Sequence, residues 1–419
     1  MNRREFFGKT GVAIGLSAAA AAGSSYKQGV FSTGQGEAYA PWKDWLQGAG
    51  QGPLRLVRAA ILAASPHNTQ PWRFNTSASG IELHIDRERN VGALDPYLRE
   101  EFIGMGCALE NLMLACPANG YAATVSVPPG TVDSGRQNEL VASVALSAGP
   151  RQETELYRAI PRRHTNRTVF DRSKTILPDF IDALRRLSGP DDGVRLFVLT
   201  EEEERTKIVQ LSAAANEELY SDASIEAASD RWLRLGPSEV ETYRDGLTID
   251  GFGLSPVMTA VAKSLPESML RKLVSKGQKT GYTDRMMAAP LIGIIAARDR
   301  YDRRSCVSAG RLWQRAHLLA TIAGVSARPG NEAMEMVDYE RAQGRAPRCL
   351  AKLAEITGDP AWEPTFVFLM GYATGEAHAS PRRGVPQVLT AQLQGQRLGA
   401  GIALRKELIH NLQPKRINQ

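Results

Sequence analysis

The chain is short of cysteine: four thiols, Cys107, Cys116, Cys306 and Cys349, are scattered over 419 residues. That is too few for a disulfide framework. No CxxC pair or His/Cys cluster has the spacing of a zinc set either, so the four are read as core thiols and no metal site is expected. Long runs of one charge are missing too. The 51 Lys and Arg against 45 Asp and Glu leave a net charge of +6 that is spread along the sequence, so no nucleic-acid partner is expected. The common catalytic signatures HExxH, GxSxG and GxxxxGK[ST] do not occur, and Gly251-Phe252-Gly253 lacks the third glycine of a dinucleotide fingerprint; hydrolase and NTPase readings fall away. What remains, 43% hydrophobic and 23% charged residues, is ordinary for a globular protein, and the length allows two or three structural units.

The first 23 residues read as an address. Arg3-Arg4, two phenylalanines and Lys9 precede an apolar stretch rich in Gly and Ala, which is shorter than the ~20 residues of a membrane span. The pattern resembles a twin-arginine export signal and implies the export machinery as a partner, with a periplasmic or exported location. That route carries folded proteins, so a cofactor inserted before export is expected. Residues 24–52, with Trp42 and Trp45, read as an arm lying over the domain.

Periodicity divides the rest into two units, 53–150 and 151–419. The first holds a helix over Leu54 to Ala64, a strand over Ile81 to Asp86, a buried helix from Gly106 to Gly120, and strands near Ala122 to Val127 and Val141 to Leu146. In the second, helices around Phe180 and from Ile208 to Leu219 flank a strand at Val194 to Leu199. Further strands are expected at Pro290 to Ala297 and Phe366 to Met370, with a helix from Gly310 to Gly324 between them. Gly106/Gly120 and Gly310/Gly324 bracket apolar helices of equal length, the mark of a duplication or a coincidence of spacing. The segment from about 221 to 282 has no counterpart in the first unit and reads as a lid, with Trp232 and Phe252 suited to covering an aromatic ring.

Two stretches stand out chemically. Ala64-Ser65-Pro66-His67-Asn68-Thr69-Gln70-Pro71-Trp72 offers a hydroxyl and two amides that can meet the edge of a heteroaromatic ring; a plain helix-terminal loop with a buried Trp is the other reading. Arg163-His164-Thr165-Asn166-Arg167 is either a phosphate clamp of guanidinium forks or a solvated basic turn. A strand ending at Gly371, followed by Ser380-Pro381-Arg382-Arg383, adds further cations.

Together these closely resemble the FMN-dependent nitroreductases, with their PSxxNxQPW loop, their RxSxR segment and their C-terminal cation. In ordinary members the two motifs meet across a dimer interface; here both lie on one chain in reversed order. This is similar to the fused group that includes the mycobacterial Acg-type proteins. The resemblance implies an α+β fold of two related halves forming a pseudo-dimer, with mixed sheets, interface helices, one FMN per chain and a monomer. It implies that Arg163, Thr165, Arg382 and Arg383 hold the phosphate, that Arg167 lies near the pyrimidine edge, and that Ser65, Pro66 and Asn68 meet the ring. Pro329 and Gly330 would face flavin N5. His67 and His164 are expected as ligand contacts, and no side chain is assigned a catalytic role. A small-molecule electron donor and acceptor, such as a nitroaromatic or quinone, is one expectation; a closed flavin-sequestering protein is the other.

Overall fold

The computed structural model describes residues 33–45, 52–133, 135, 139–189, 193–279 and 281–390. The expected export signal, and part of the arm that follows it, lie outside the described residues. Within 33–45, two short helical turns, Glu37–Tyr39 and Ala40–Lys43, bury Trp42, whose Nε1 donates to Ser380 O at 2.7 Å.

The first unit opens with helix α1 (Leu54–Ala60). Hairpin strands β1 (Trp72–Thr76) and β2 (Gly80–Ile85) follow, then helix α2 (Arg99–Ala118) and strands β3 (Tyr121–Ser126) and β4 (Leu140–Ala148). In β2 the side chains alternate between buried and half-buried, as the pattern of the sequence demands. The second unit runs through β5 (Val194–Leu199) and helix α3 (Glu202–Leu219) into the insertion, which holds β6 (Leu233–Arg234), β7 (Leu247–Thr248) and helices α4 (Pro256–Lys263) and α5 (Glu267–Lys279). Next come β8 (Leu291–Ala297), helix α6 (Arg303–Ile322), β9 (Ser326–Pro329), helix α7 (Glu332–Ala342) and β10 (Glu363–Gly371). Every residue of β8 is buried, which is why it reads as an unbroken apolar run.

The strand orders are β1-β2-β4-β3 and β5-β8-β10-β9. Both sheets therefore place their third strand outside the fourth, and in both a twenty-residue helix, α2 or α6, links the second strand to the third. The expected mixed sheets are corrected: both four-stranded sheets are antiparallel throughout. Each helical crossover returns the chain two positions along the sheet, and the last strand fills the gap running opposite to both neighbours. Among the described residues, the parallel ladder is the two-residue pair β6/β7 in the insertion.

Helices α2 and α6 pack against each other between the sheets. Asp302 caps α6 by accepting from Ser305 N at 2.8 Å. At the start of α2 the fully buried Arg99 reaches Asp338 (2.7 Å), which also takes Arg300 (3.1 Å) and the Tyr301 hydroxyl. This network ties the first unit to α7 of the second. Such a buried ion cluster is stabilising only when fully paired, and Asp338 accepts from three donors, its carboxyl held below the usual range by Arg300 and Arg99 despite its burial.

Candidate functional site

The Ser65–Trp72 loop is a strained turn. His67, Asn68 and Gln70 all adopt positive φ (44°, 56° and 53°), which non-glycine residues take only when surroundings hold them there. The restraint is visible. Ser65 Oγ accepts from Gln70 N (3.0 Å), Asn68 Nδ2 donates to the carbonyls of Gly246 and Pro381 (3.1 and 3.0 Å), and Gln70 Nε2 donates to Arg244 O (2.8 Å). The two amides thus lash the loop to the insertion and to the C-terminal segment. Ser65, Pro66 and His67 are left facing a cavity.

That cavity measures about 660 Å³, within the range of small-molecule sites. Gly104 and Cys107 of α2 and Trp313 of α6 line its inner wall; Phe252 and Leu270 of the insertion line its outer side. Thr165, Arg167, Pro329 and Gly330 complete the ring of expected residues that reach it. Trp232 does not: its Nε1 donates to Asn90 O at 2.9 Å, and its ring packs on Arg89. Of the two aromatics expected in the lid, only Phe252 borders the cavity.

Asn68, Arg163, His164, Arg382 and Arg383 do not line the cavity; His164 is half-buried and the other four are buried. Arg163 donates to Leu62 O (3.1 Å) and contacts His317 Nδ1 (3.3 Å). Arg382 donates to Ala63 O (3.1 Å), to Ser380 Oγ (2.7 Å) and to the Asn68 side chain. Both guanidiniums lie near the Trp42 ring, at 5.9 and 4.7 Å from its centre. Neither has a carboxylate partner among the described residues, and Arg163 Nε, His164 Nδ1 and Arg382 Nε have no hydrogen-bond partner. Burial pulls Arg163 down to about 10, and burial beside Arg163 and Arg382 holds His164 at about 3. Arg383 instead clamps the carbonyls of Gln70 and Trp72 (2.9 and 3.0 Å).

The cavity lining carries charge of both signs. Arg167, Arg285 and Arg328 supply cations, and burial next to Arg167 keeps His67 neutral, at about 4. Glu100, Glu332 and Glu335 stand among them with Tyr220 and Tyr282, Glu332 within reach of the Arg328 and Arg285 charges. The Tyr282 hydroxyl donates to Glu332 at 2.6 Å. Burial, then its neighbours Glu100 and Glu332, holds Glu335 well above the usual carboxylate range, and burial pushes Glu100 up to about 7 against the pull of Arg99. The motif reading passed over these carboxyls. Glu332 and Glu335 follow Pro329-Gly330-Asn331 and share a helix face at i, i+3, the one sequence signal that could have pointed to them.

No protein-family model matches the chain. Two Mycobacterium tuberculosis (H37Rv) proteins named "Putative NAD(P)H nitroreductase" are similar to it. One, Rv3131, is 32% identical over 115 residues, 27% of this chain and 33% of that protein. The other, acg, is 29% identical over 148 residues, 35% of this chain and 43% of that protein. The uncharacterized Rv3127 is 28% identical over 186 residues, 42% of this chain and 51% of that protein. The aligned stretches thus span about half or less of these relatives' length. Among solved structures, the FMN-dependent nitroreductase NfnB of Mycobacterium smegmatis in complex with NADPH shows 14% identity and a TM-score of 0.34, over 56% of this chain and 96% of that one. The FMN- and NADPH-dependent NfnB of Sphigopyxis sp. strain HMH shows 16% and 0.36, over 56% and 97%. In its matching stretches the chain is distantly homologous to these mycobacterial putative NAD(P)H nitroreductases.

Proposed function

We propose that this chain is an FMN-binding oxidoreductase of nitroreductase type, with one flavin site built from both units. The observation that carries the reading is convergence: Ser65 to His67, Thr165 with Arg167, and Pro329 with Gly330 are far apart in sequence yet border one cavity. The residues fit a phosphorylated aromatic group. Apolar walls and Trp313 suit a ring, and the cavity's own arginines, Arg167 and Arg328 among them, carry the charge that complements an anion; Arg163 and Arg382, buried without a carboxylate partner among the described residues, lie outside the lining.

Bound FMN supplies hydride and one-electron chemistry by itself. The chain's part is to hold and tune it. Arg167 and Arg328, which line the cavity, would stabilise negative charge on a reduced ring held there. Burial, with Glu100 and Glu332 close by, favours the protonated form of Glu335 in the cavity wall. The electron donor and the acceptor are small molecules, a nitroaromatic or quinone among acceptors, and the chain works as a monomer. Export by the twin-arginine route places it in the periplasm; replacing Arg3 and Arg4 together with Lys is expected to retain a folded protein in the cytoplasm.

The test is direct. The purified full chain is expected to release one FMN on denaturation, identified by absorbance and mass, and the stripped protein to rebind it. A colourless protein that refuses added FMN refutes the reading. A sequestering role is the second reading, favoured by the insertion, whose Phe252 and Leu270 line the cavity. Slow reduction by NADPH with fast reduction by dithionite supports sequestration; rapid turnover with NADPH and a nitroaromatic removes it.

A further inference from the structure

Large apolar side chains left in solvent are concentrated in one place. Of the nine among the described residues, six belong to the stretch from Leu254 to Leu273, including Val257 at 73% exposure and Met269 at 56%. Scattered exposed apolar residues need no explanation, but a contiguous patch marks an interaction site. Here the patch is the outer face of α4 and α5. On α5, Leu270 and the half-buried Val274 point inward, while Met269, Lys272, Leu273 and Lys276 follow the i, i+3, i+4, i+7 spacing of a single exposed stripe. Two ammonium groups therefore flank two apolar side chains on one face.

The charge on this face is of one sign. Its nearby acids are already engaged, Glu267 with Arg271 (2.8 Å) and Asp250 with Lys263 (2.7 Å). Lys272 and Lys276 are exposed and make no ion pair with a described residue. An occupant must therefore be apolar and anionic together. The terminal segments 1–32 and 391–419 each carry more Lys and Arg than Asp and Glu, and a second copy of this basic chain would meet Lys with Lys. Neither complements the face.

We infer that α4 and α5 dock the protein on an anionic lipid surface, with the mouth of the cavity turned toward the bilayer. Met258, Val261 and Leu273 are each about half exposed, at 53%, 54% and 47%, and also line the cavity. The residues that would enter the lipid boundary are thus the rim of the site. Basic amphipathic helices bind such surfaces through buried apolar area plus attraction of Lys and Arg to anionic headgroups. The geometry gives a lipophilic, uncharged ligand a path from the bilayer into the cavity without crossing water. This step rests on the cavity being a ligand site; docking itself does not require flavin chemistry.

The experiment is co-sedimentation of the full chain with vesicles of phosphatidylcholine alone and of phosphatidylcholine with phosphatidylglycerol. Binding is expected to the mixed vesicles, and Lys272→Glu with Lys276→Glu to weaken it about thirtyfold or more, from roughly fivefold per lost charge near the surface. Val257→Ser with Met269→Ser, which leaves the cavity lining intact, is expected to weaken it about tenfold while reduction of a water-soluble acceptor is unchanged. Failure to bind either vesicle, or equal binding by parent and both variants, overturns the inference; capture of a soluble anionic protein by a parent that ignores vesicles assigns the face to a protein partner and overturns it equally. Vesicle binding by a protein with no flavin and no reductase activity leaves the docking surface standing and removes only the proposed function.

Discussion

Gly106 and Gly310 face each other where α2 crosses α6. A Cβ built on either would come within 2.9 Å of the other's Cα and collide with a carbonyl three residues before it, that of Val307 or of Ile103. The reciprocity is that of equivalent positions in two units of the same strand order. Gly310→Ala is expected to destabilise the protein by about 3 kcal/mol, at the top of the overpacking range, because backbone has to move. Gly277→Ala in α5 meets nothing within 4 Å and is expected to add about 1 kcal/mol through helix propensity. Urea unfolding of the two variants checks the contrast.

Glu335 makes stability depend on pH. In the unfolded chain its carboxyl ionises near the usual 4.5, whereas in the fold burial, with Glu100 and Glu332 close by, favours the protonated form. The native state then binds more protons than the unfolded state, so this group costs stability as pH rises above 4.5 toward its folded pKa, by up to about 1.4 kcal/mol per pH unit. Glu335→Gln removes the cost. Its stabilising effect is expected to be small near about pH 4 and to grow by about pH 7, read from thermal unfolding at both. A gain independent of pH contradicts the assignment.

Arg383 and Arg167 are expected to behave as different kinds of residue. Arg383 holds two backbone carbonyls of the Ser65–Trp72 loop, so Arg383→Ala should lower stability by about 2 kcal/mol. Arg167 borders the cavity and makes one long bond, to Gly251 O at 3.3 Å; Arg167→Ala should leave unfolding nearly unchanged and weaken FMN about tenfold, the equivalent of one charge-assisted bond. Denaturation curves and FMN titration of the stripped protein separate the two.

All four cysteines are buried and free, and burial pushes Cys107, Cys116 and Cys349 up to about 12. A thiol reagent is expected to label none of them in the native protein and all four in denaturant.

Elements with simple periodicity are legible in the chain: the strand expected at Val194–Leu199 has its observed bounds, and the one expected at Phe366 to Met370 falls inside β10. The starts of α2 and α6 are not. Both begin several residues before the glycine chosen as the boundary, in Arg99-Glu100-Glu101 and in Arg303-Arg304. Polar runs of this kind give no apolar signal, yet Arg99 and Glu101 are fully buried: Arg99 pairs with Asp338 of a distant segment, and burial favours the protonated form of Glu101. The short β1 was missed because its residues follow the motif loop without a turn signal of their own. For the site, the motifs located the cavity wall but not the orientation of each side chain. Asn68 was expected to face a ring and faces two carbonyls instead, a choice set by the insertion and the C-terminal segment, which no local pattern encodes.

The loop at residues 65–72 is completed by the last described stretch of the chain. Arg383 grips Gln70 and Trp72 across 313 and 311 positions, Leu389 bridges Phe74, and Thr390 N donates to Phe74 O at 3.0 Å. During synthesis, the first unit therefore waits for residues beyond 380 before its loop can take the strained backbone it needs. Contacts of such sequence separation form late, so ribosome-bound chains ending before residue 380 should leave this loop open to protease, and the ligand-binding wall becomes the final feature of the molecule to form.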